Sequence, residues 1–168
     1  MDNFLGAAGA GGNWPTINEY PAPDVIVQQQ PWFCGCACAQ MMLGVYEVPD
    51  IPSQDDLFDL ARSLPFTVEG LAEAMNESEN PEEGRHWRGG GVEIAGAEAI
   101  DVVEALSHKG PWIAHLRVEM EKLGHLVIVE RKINNEVHIL DPAPPGTAYR
   151  MEIDAFLEYW NTQAVFLV

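Results

Sequence analysis

QQQPWFCGCACAQMM, residues 28–42, is the stretch that decides the fold of this 168-residue chain. Apolar residues recur at helical spacing after its first cysteine, which predicts a buried helix from Cys34 or Gly35 to about Tyr46. The amides of a first helical turn lack intrahelical acceptors, and the helix dipole adds positive potential there. Cys34 is therefore expected to lie where a thiol is held partly as the nucleophilic thiolate.

Three further residues have the types that thiol chemistry on an amide requires: a base, a group that orients it and a donor for the oxyanion. His125 opens a hydrophobic strand (GHLVIVE), and a glycine before it leaves space for substrate. Asp141 ends the next strand (VHILDP), where Pro142 stops ladder pairing. Gln28, six residues before Cys34, is a candidate donor to the oxyanion.

Composition and charge limit the kinds of partner. A chain of 168 residues that is 47% hydrophobic suits one domain with a full core. The net charge is −17, and residues 47–104 hold 15 of the 26 acidic residues but only 3 of the 9 basic ones. Such a surface repels phosphate backbones, which argues against nucleic acid and favours a basic peptide or protein. An acidic face that only keeps the protein soluble is the simpler explanation.

Targeting and cysteine signals favour a reducing compartment. No stretch approaches the length of a membrane span, and the N-terminus has no basic region before an apolar one. Cys34, Cys36 and Cys38 are too crowded for a disulfide framework, and no CxxC pair or HxxxH offers a zinc site. We therefore expect a cytoplasmic protein without metal or cofactor. The Gly/Ala-rich start also suits export that needs no signal peptide.

The order of elements is typical of an α+β domain. Residues 1–24 are predicted to be a flexible arm that ends in an extended strap, and residues 25–168 the domain. Helices are predicted after Ser53, with a face that reaches Leu64, and after Thr67. Further helices are predicted at residues 99–106 and around 153–160, and strands at residues 112–118, 125–132, 137–140 and 164–168.

Residues 76–96 are polar and Gly-rich, which predicts a mobile loop. Within them, residues 85–88 (RHWR) form a basic-aromatic knot in an acidic region. This knot is either a lid over an acidic cleft or a loop tethered by charge.

Gln28, the CGxAxxxM run that starts at Cys34, Gly124-His125 and Asp141-Pro142 together resemble the papain-like cysteine peptidases in order and spacing. The likeness is greatest to the branch that processes bacteriocins at double-glycine leaders. It implies a papain-like fold with an N-terminal helical half, whose central helix carries the nucleophile, and a C-terminal antiparallel sheet. It further implies Cys34 as nucleophile, His125 as general base and acid, Asp141 as orienter and Gln28 as oxyanion-hole donor, with the Cys34 amide as a second donor.

The implied function is a cysteine peptidase that works through an S-acyl intermediate on peptides with small residues such as Gly-Gly. Because that branch is often fused to an export transporter, a separate transporter is one implied partner. A secreted effector or toxin that uses the same triad for proteolysis or deamidation is a second hypothesis. A catalytically silent module that binds a peptide is a third.

Two alternatives within the site stay open. Gln30 and Cys36 repeat the six-residue spacing, although a thiol at the mouth of a helix is better activated than one inside it, and Cys38 is expected in the core. A two-residue turn at Asn134-Asn135 would set Asp141 opposite Ile128, about 10 Å along the strand from His125 and on the wrong face. A bulge or a longer turn must correct this. Otherwise Asp141 only closes a turn, and His125 is a core histidine.

Other aromatic residues and histidines receive weaker interpretations. Trp32 and Phe33 are candidates for the wall of the cleft, although an aromatic beside a buried helix is more often core. The remaining histidines are expected to be ordinary surface or sheet residues, and they are His86, His108, His115 and His138.

Overall fold

Seven strands of the described chain form one antiparallel sheet. The computed structural model describes residues 13–61, 67–79, 85–118 and 124–168. The strands are β1 Ile17–Pro21, β2 Trp87–Gly91, β3 Trp112–Leu116, β4 His125–Ile133, β5 Glu136–Asp141, β6 Thr147–Glu152 and β7 Trp160–Leu167. Their order in the sheet is β1-β6-β5-β4-β3-β7-β2. The helices are α1 Cys34–Val45, α2 Gln54–Ala61, α3 Val68–Ser78, α4 Ala99–His108 and α5 Ile153–Tyr159.

Helix α1 is buried nearly all round, as the run of small and apolar residues after Cys34 predicts. It packs with α2 and α3 against one face of the sheet, where Met42, Leu57 and Leu71 belong to one core cluster. The opposite face carries α4 and α5 over a second cluster that includes Trp112 and Phe156. A sheet with helices on both faces buries both sets of alternating side chains, so the predicted α+β class is confirmed.

The predicted helix starts at Ser53 and Thr67 are present. The Ser53 hydroxyl accepts from the Asp56 amide at 3.1 Å, and the Thr67 hydroxyl accepts from Gly70 at 3.0 Å. Each bond satisfies an amide that the first helical turn leaves free. Leu64, predicted on the apolar face of α2, lies outside the described residues.

The β4–β5 hairpin contains the bulge that the sequence required. Ile133 pairs with Glu136 across Asn134-Asn135, but the register shifts between Val129 and Arg131. Ile128 therefore pairs with Leu140, and Asp141 continues opposite Val127 rather than Ile128. Since alternate residues of a strand share a face, this single-residue shift brings Asp141 to the face of His125.

The mobile loop predicted over residues 76–96 is wrong for most of its described residues. Helix α3 runs to Ser78, and β2 pairs with β7 at the edge of the sheet. Trp87 is buried, and its indole N–H donates to Glu79 at 3.1 Å. Arg85 forms an ion pair with Glu79 at 3.1 Å, so charge and aromatic packing both tether the knot.

Part of the flexible arm and extended strap predicted over residues 1–24 belongs to the sheet. Ile17–Pro21 is extended, as predicted for the strap, and it forms β1, which pairs with β6. Trp14, just before β1, is buried in the second core cluster. Residues 1–12 of the predicted arm lie outside the described part of the chain. Within that part, no helix has the length and apolar character needed to cross a bilayer.

We expect Gly89→Ala to destabilise the protein, because a Cβ there would lie 2.1 Å from the Val68 carbonyl oxygen. Overpacking against backbone costs about 1–3 kcal/mol. Gly44→Ala is the matched control, since its Cβ would meet only Ile51 Cδ1 at 3.9 Å in a helix that favours alanine. Urea denaturation of both variants measures the difference. Equal stability of the two would show that β2 does not pack on α3 as described.

Candidate active site

Cys34 is the first residue of α1, half-buried at the edge of a cleft of about 500 Å³. Its Sγ accepts from the Leu126 amide at 3.5 Å and interacts with the Gly35 amide and His125. Burial alone raises the pKa of a thiol. Here the hydrogen bond and positive charge of His125, with the Leu126 and Gly35 amides, outweigh burial and lower the pKa of Cys34.

His125 connects Cys34 to Asp141. Its Nε2 lies 2.7 Å from Asp141 Oδ1, while the same ring hydrogen-bonds with the thiol. Burial lowers the pKa of His125, but the hydrogen bonds and negative charges of Asp141 and Cys34 outweigh it and raise that pKa to about 10. Each partner therefore favours the charged form of the other: the imidazolium lowers the pKa of Cys34, and the thiolate raises the pKa of His125.

Asp141 is fully buried and accepts three hydrogen bonds. Besides His125, the Ala143 amide donates to Oδ1 at 3.0 Å and the Tyr149 hydroxyl donates to Oδ2 at 2.7 Å. Burial raises the pKa of Asp141, whereas His125 and these two donors lower it overall. The bond to Ala143 is the turn-closing contact that the sequence offered as an alternative role, and it coexists with the contact to His125.

Tyr149 and Trp14 contact this group, and neither was among the residues predicted from the sequence. The Trp14 ring stacks on His125 with centroids 6.0 Å apart, and its Nε1 donates to the Tyr149 hydroxyl at 3.0 Å. The alternation of Ala148 and Arg150 with Tyr149 and Met151 could have indicated β6, and a buried tyrosine needs a partner for its hydroxyl. Nothing in the sequence indicates which partner that is.

Cys36, which with Gln30 repeats the six-residue spacing, is not among the described residues that line the cleft. Cys36 is fully buried in the first core cluster, and burial, followed by the charges of Cys34 and Asp55, raises its pKa to about 12. Cys38 packs in the same cluster, where its thiol donates to the Leu126 carbonyl at 3.4 Å. Among the three thiols, Cys34 alone lines the cleft.

Gln28 lies near the triad, but its side chain is engaged elsewhere. Its backbone amide donates to the Pro142 carbonyl at 2.9 Å, whereas its carboxamide nitrogen donates to the carbonyls of Gln30 at 3.2 Å and Pro31 at 3.0 Å. Gln28 is not among the described residues that line the cleft. The carboxamide is thus bonded to the segment that leads into α1, and the oxyanion role of Gln28 stays a prediction.

The cleft has two walls of different character. One wall includes exposed Trp32 and the start of α3 at Thr67, Val68 and Glu69, whereas Phe33 is buried as core. The other wall contains His115, which the sequence analysis took for an ordinary sheet residue. The described residues of this second wall are His115, Gly124, Leu126, Asn161 and Gln163.

His115 is held in one tautomer by its neighbour. The Gln163 amide donates to Asn161 Oδ1 at 3.2 Å, so the Asn161 amide nitrogen faces His115 Nδ1 at 2.6 Å. The Asn161 amide nitrogen can only donate, so His115 Nδ1 accepts this hydrogen bond. The ring hydrogen of the neutral imidazole is therefore on Nε2. Burial is the largest cause that lowers the pKa of His115, so this imidazole is neutral.

The arrangement supplies what acyl transfer needs: a thiol with a lowered pKa in an open cleft, an imidazole bonded to it and a buried carboxylate that orients the imidazole. Over the described ranges, no three His, Cys, Asp or Glu side chains are placed to hold a metal ion together. The chemistry that these residues offer is nucleophilic.

Comparison with known proteins gives a family match over most of the chain. The model of the Peptidase_C39 like family matches residues 23–164. The chain is 28% identical over 159 residues to "Cysteine protease effector 1" of Escherichia coli O1:K1:H7. That alignment covers 94% of this chain but only 29% of the relative, so the chain spans under a third of the relative's length.

Two solved structures share the fold. The peptidase domain of Streptococcus ComA, a bi-functional ABC transporter involved in quorum sensing, has a TM-score of 0.64 at 23% identity, covering 85% of this chain and 96% of that domain. A double glycine motif protease from an AMS/PCAT transporter, in complex with its leader peptide, has a TM-score of 0.62 at 19% identity, covering 90% and 96%. These findings confirm the predicted papain-like fold and the resemblance to double-glycine peptidases.

We expect iodoacetamide to alkylate Cys34 rapidly and at a single site at neutral pH. Thiolate forms as the pH rises through the pKa, and this pKa is lowered, so much of the rate should persist below pH 8. A free thiol, with a pKa of about 8.5, loses on the order of a hundredfold in rate between pH 8 and pH 6. Mass spectrometry of time points across this range measures both profiles.

Cys34→Ala is the control for this alkylation, because Cys36 and Cys38 are buried with raised pKa values. The variant should show no rapid labelling. A wild-type profile that coincides with that of free cysteine would contradict the thiolate–imidazolium pair.

Proposed function

This chain belongs to the Peptidase_C39 like family, and we propose that it is a cysteine peptidase that cleaves peptide bonds with Cys34, His125 and Asp141. The observation that carries the proposal is the position of His125, which contacts the Cys34 thiol and lies 2.7 Å from Asp141 Oδ1. Cys34 is the nucleophile, His125 the general acid and base, and Asp141 the group that orients His125.

The steps follow from the charges of the resting pair. Cys34 Sγ attacks the substrate carbonyl carbon, and the imidazolium of His125 gives its proton to the leaving amine as the carbon–nitrogen bond breaks. Neutral His125 then takes a proton from water, whose oxygen attacks the S-acyl carbon. The carboxylic acid leaves, and thiolate and imidazolium are restored. Asp141 stays ionised throughout and keeps Nε2 directed toward itself.

The oxyanion needs donors near Cys34. The backbone amide of Cys34, at the start of α1, is the first that we propose. Gln28 would be the second, and its use requires that its carboxamide exchange one of its bonds, to Gln30 or Pro31, for the oxyanion. The Gln28 Oε1 is buried without a partner among the described residues, which makes the present arrangement of this side chain costly.

The substrate that we propose is a peptide with small residues such as Gly-Gly at the cleaved bond. Support comes from the likeness to a double glycine motif protease, at the level of fold. The chain's own contribution is a cleft between Trp32 and Leu126 that leads to Cys34, with Glu69 at its edge. Since the chain carries −17 overall, neutral or basic peptides approach it more readily than acidic ones.

A second candidate is an effector that acts on a protein target, by proteolysis or deamidation. The observation that favours it is the 28% identity to a cysteine protease effector across 94% of this chain. The effector would leave the cytoplasm in which it is made, whereas a leader peptidase would work with a transporter. Ammonia released without a new amine terminus would indicate deamidation. A silent binding module would fail the alkylation test above.

We expect the protein to release a new amine terminus from a peptide that contains Gly-Gly, and to cleave the same peptide with Val-Val in its place far more slowly. Cys34→Ala should lower the rate by at least about a thousandfold, as loss of a catalytic nucleophile does. Cys36→Ala is the matched control, because that thiol packs in the core and should leave cleavage intact. Product masses and amine release measure the outcome.

Three results would redirect the proposal. Full activity in Cys34→Ala would reject the nucleophile. Equal cleavage of the two peptides would reject specificity for small residues. Intact peptide with rapid alkylation of Cys34 would favour the protein-directed effector.

A further inference from the structure

Trp14 lies outside the part of the chain that matches the family, which begins at residue 23. We propose that this residue is a positioning residue of the active site, which holds His125 and Asp141 in their working arrangement. The inference rests on the proposed function. It makes the segment from Trp14 through β1 part of the catalytic unit, although the sequence predicted an arm there.

The contacts of Trp14 reach both partners of the buried pair. Its ring stacks on His125 at 6.0 Å between centroids with an interplanar angle of 29°. Its Nε1 donates to the Tyr149 hydroxyl at 3.0 Å, and that hydroxyl donates to Asp141 Oδ2 at 2.7 Å. One side chain therefore touches the imidazole directly and the carboxylate through one intermediate.

The direction of these hydrogen bonds is fixed at both ends. An indole N–H can only donate and an ionised carboxylate can only accept, so the Tyr149 oxygen accepts from Trp14 and its own hydrogen is donated onward. The Tyr149 hydroxyl donates to Asp141 Oδ2, which leaves Oδ1 to accept from His125 and the Ala143 amide. Without the indole, the Tyr149 hydroxyl loses its buried donor and the carboxylate loses one cause of its fixed orientation.

The ring also alters the surroundings of the imidazole. Trp14 is only 3% exposed, and its face covers one side of His125. Excluding water there strengthens the bond between His125 and Asp141, although the same burial disfavours a charged imidazole. The electron-rich face of indole attracts a cation, and this attraction, together with the stronger bond to Asp141, favours the imidazolium and, through it, the thiolate of Cys34.

Strand β1 holds Trp14 in place. It pairs with β6, the strand that carries Tyr149, and the Thr147 hydroxyl donates to Glu19 Oε2 at 2.8 Å. The Trp14 ring also lies 6.1 Å from the Tyr159 ring. Because the strand that anchors Trp14 lies beside the strand of its partner, loosening of β1 from the sheet would disturb the active site as well.

Four variants of the full chain test this inference: Trp14→Phe, Trp14→Ala, Tyr149→Phe and the Trp14→Phe/Tyr149→Phe pair. Tyr20→Ala is the matched control, since Tyr20 is on β1 but 56% exposed. The pH dependence of Cys34 alkylation and the cleavage of the Gly-Gly peptide are measured for each. Circular dichroism checks that each variant is folded.

We expect Trp14→Ala to move the onset of rapid alkylation to higher pH and to lower turnover on the order of tenfold, as misplacement of a catalytic group does. Trp14→Phe keeps a ring and should lose only several-fold. The Trp14→Phe/Tyr149→Phe double variant should lose less turnover than the product of the two single losses. The reason is that both substitutions interrupt the same chain of hydrogen bonds. Tyr20→Ala should match wild type in both measurements.

A folded Trp14→Ala with the wild-type alkylation profile would overturn the inference. If that variant does not fold, wild-type profiles in both Trp14→Phe and Tyr149→Phe would overturn it instead. Failure of the proposed function gives a different result from failure of this inference. If the proposed function is wrong, wild type leaves the peptide intact. A shift in alkylation between wild type and Trp14→Ala would still support positioning by Trp14.

Discussion

The hydrogen bond between His125 and Asp141 is the contact on which the rest of the site depends. It places a carboxylate and an imidazolium away from water, where an unpaired charge would cost several kcal/mol. The structure meets this cost with donors: Asp141 accepts from His125, Ala143 and Tyr149, and Cys34 from backbone amides. Four separate segments, at α1, β4, the β5 end and β6, must therefore be in place together before the thiol is activated.

One residue of sheet register decides whether that contact can form. With regular pairing after Asn134-Asn135, Asp141 would face away from His125. The bulge between Val129 and Arg131 turns the carboxylate to the correct face, and the two side chains then meet at 2.7 Å. A bulge inserts one unpaired residue into one strand of a pair, and the side chains beyond it are then directed to the opposite face. The contact between His125 and Asp141 thus depends on one additional residue, Glu130, between Val129 and Arg131.

The sequence predicted the parts of this protein that follow from local periodicity. Helix α1 and strands β3, β4 and β5 have apolar patterns long enough to identify, and the residues of the proposed triad lie at the ends of α1, β4 and β5. Strand β2 (WRGGG) was not predicted because glycine is rare in strands. Gly89 is nevertheless needed there, since β2 passes close to the Val68 carbonyl. Contacts that depend on tertiary packing could not be predicted from the sequence. They are the buried position of Trp14, its bond to Tyr149 and the acceptors of the Gln28 carboxamide.

The acidic surface and the groups beside Cys34 act on the protein's electrostatics over different distances. A net charge of −17 opposes any further anion, yet Cys34 has a lowered pKa. Exposed charges farther away than about 10 Å are largely screened at 0.1 M salt, whereas opposite charges 4 Å apart at a protein surface attract by about 4 kcal/mol. His125 and the amides at Cys34 therefore outweigh the distant carboxylates. The acidic surface influences which peptides approach, and the local donors determine whether the thiol can react with them.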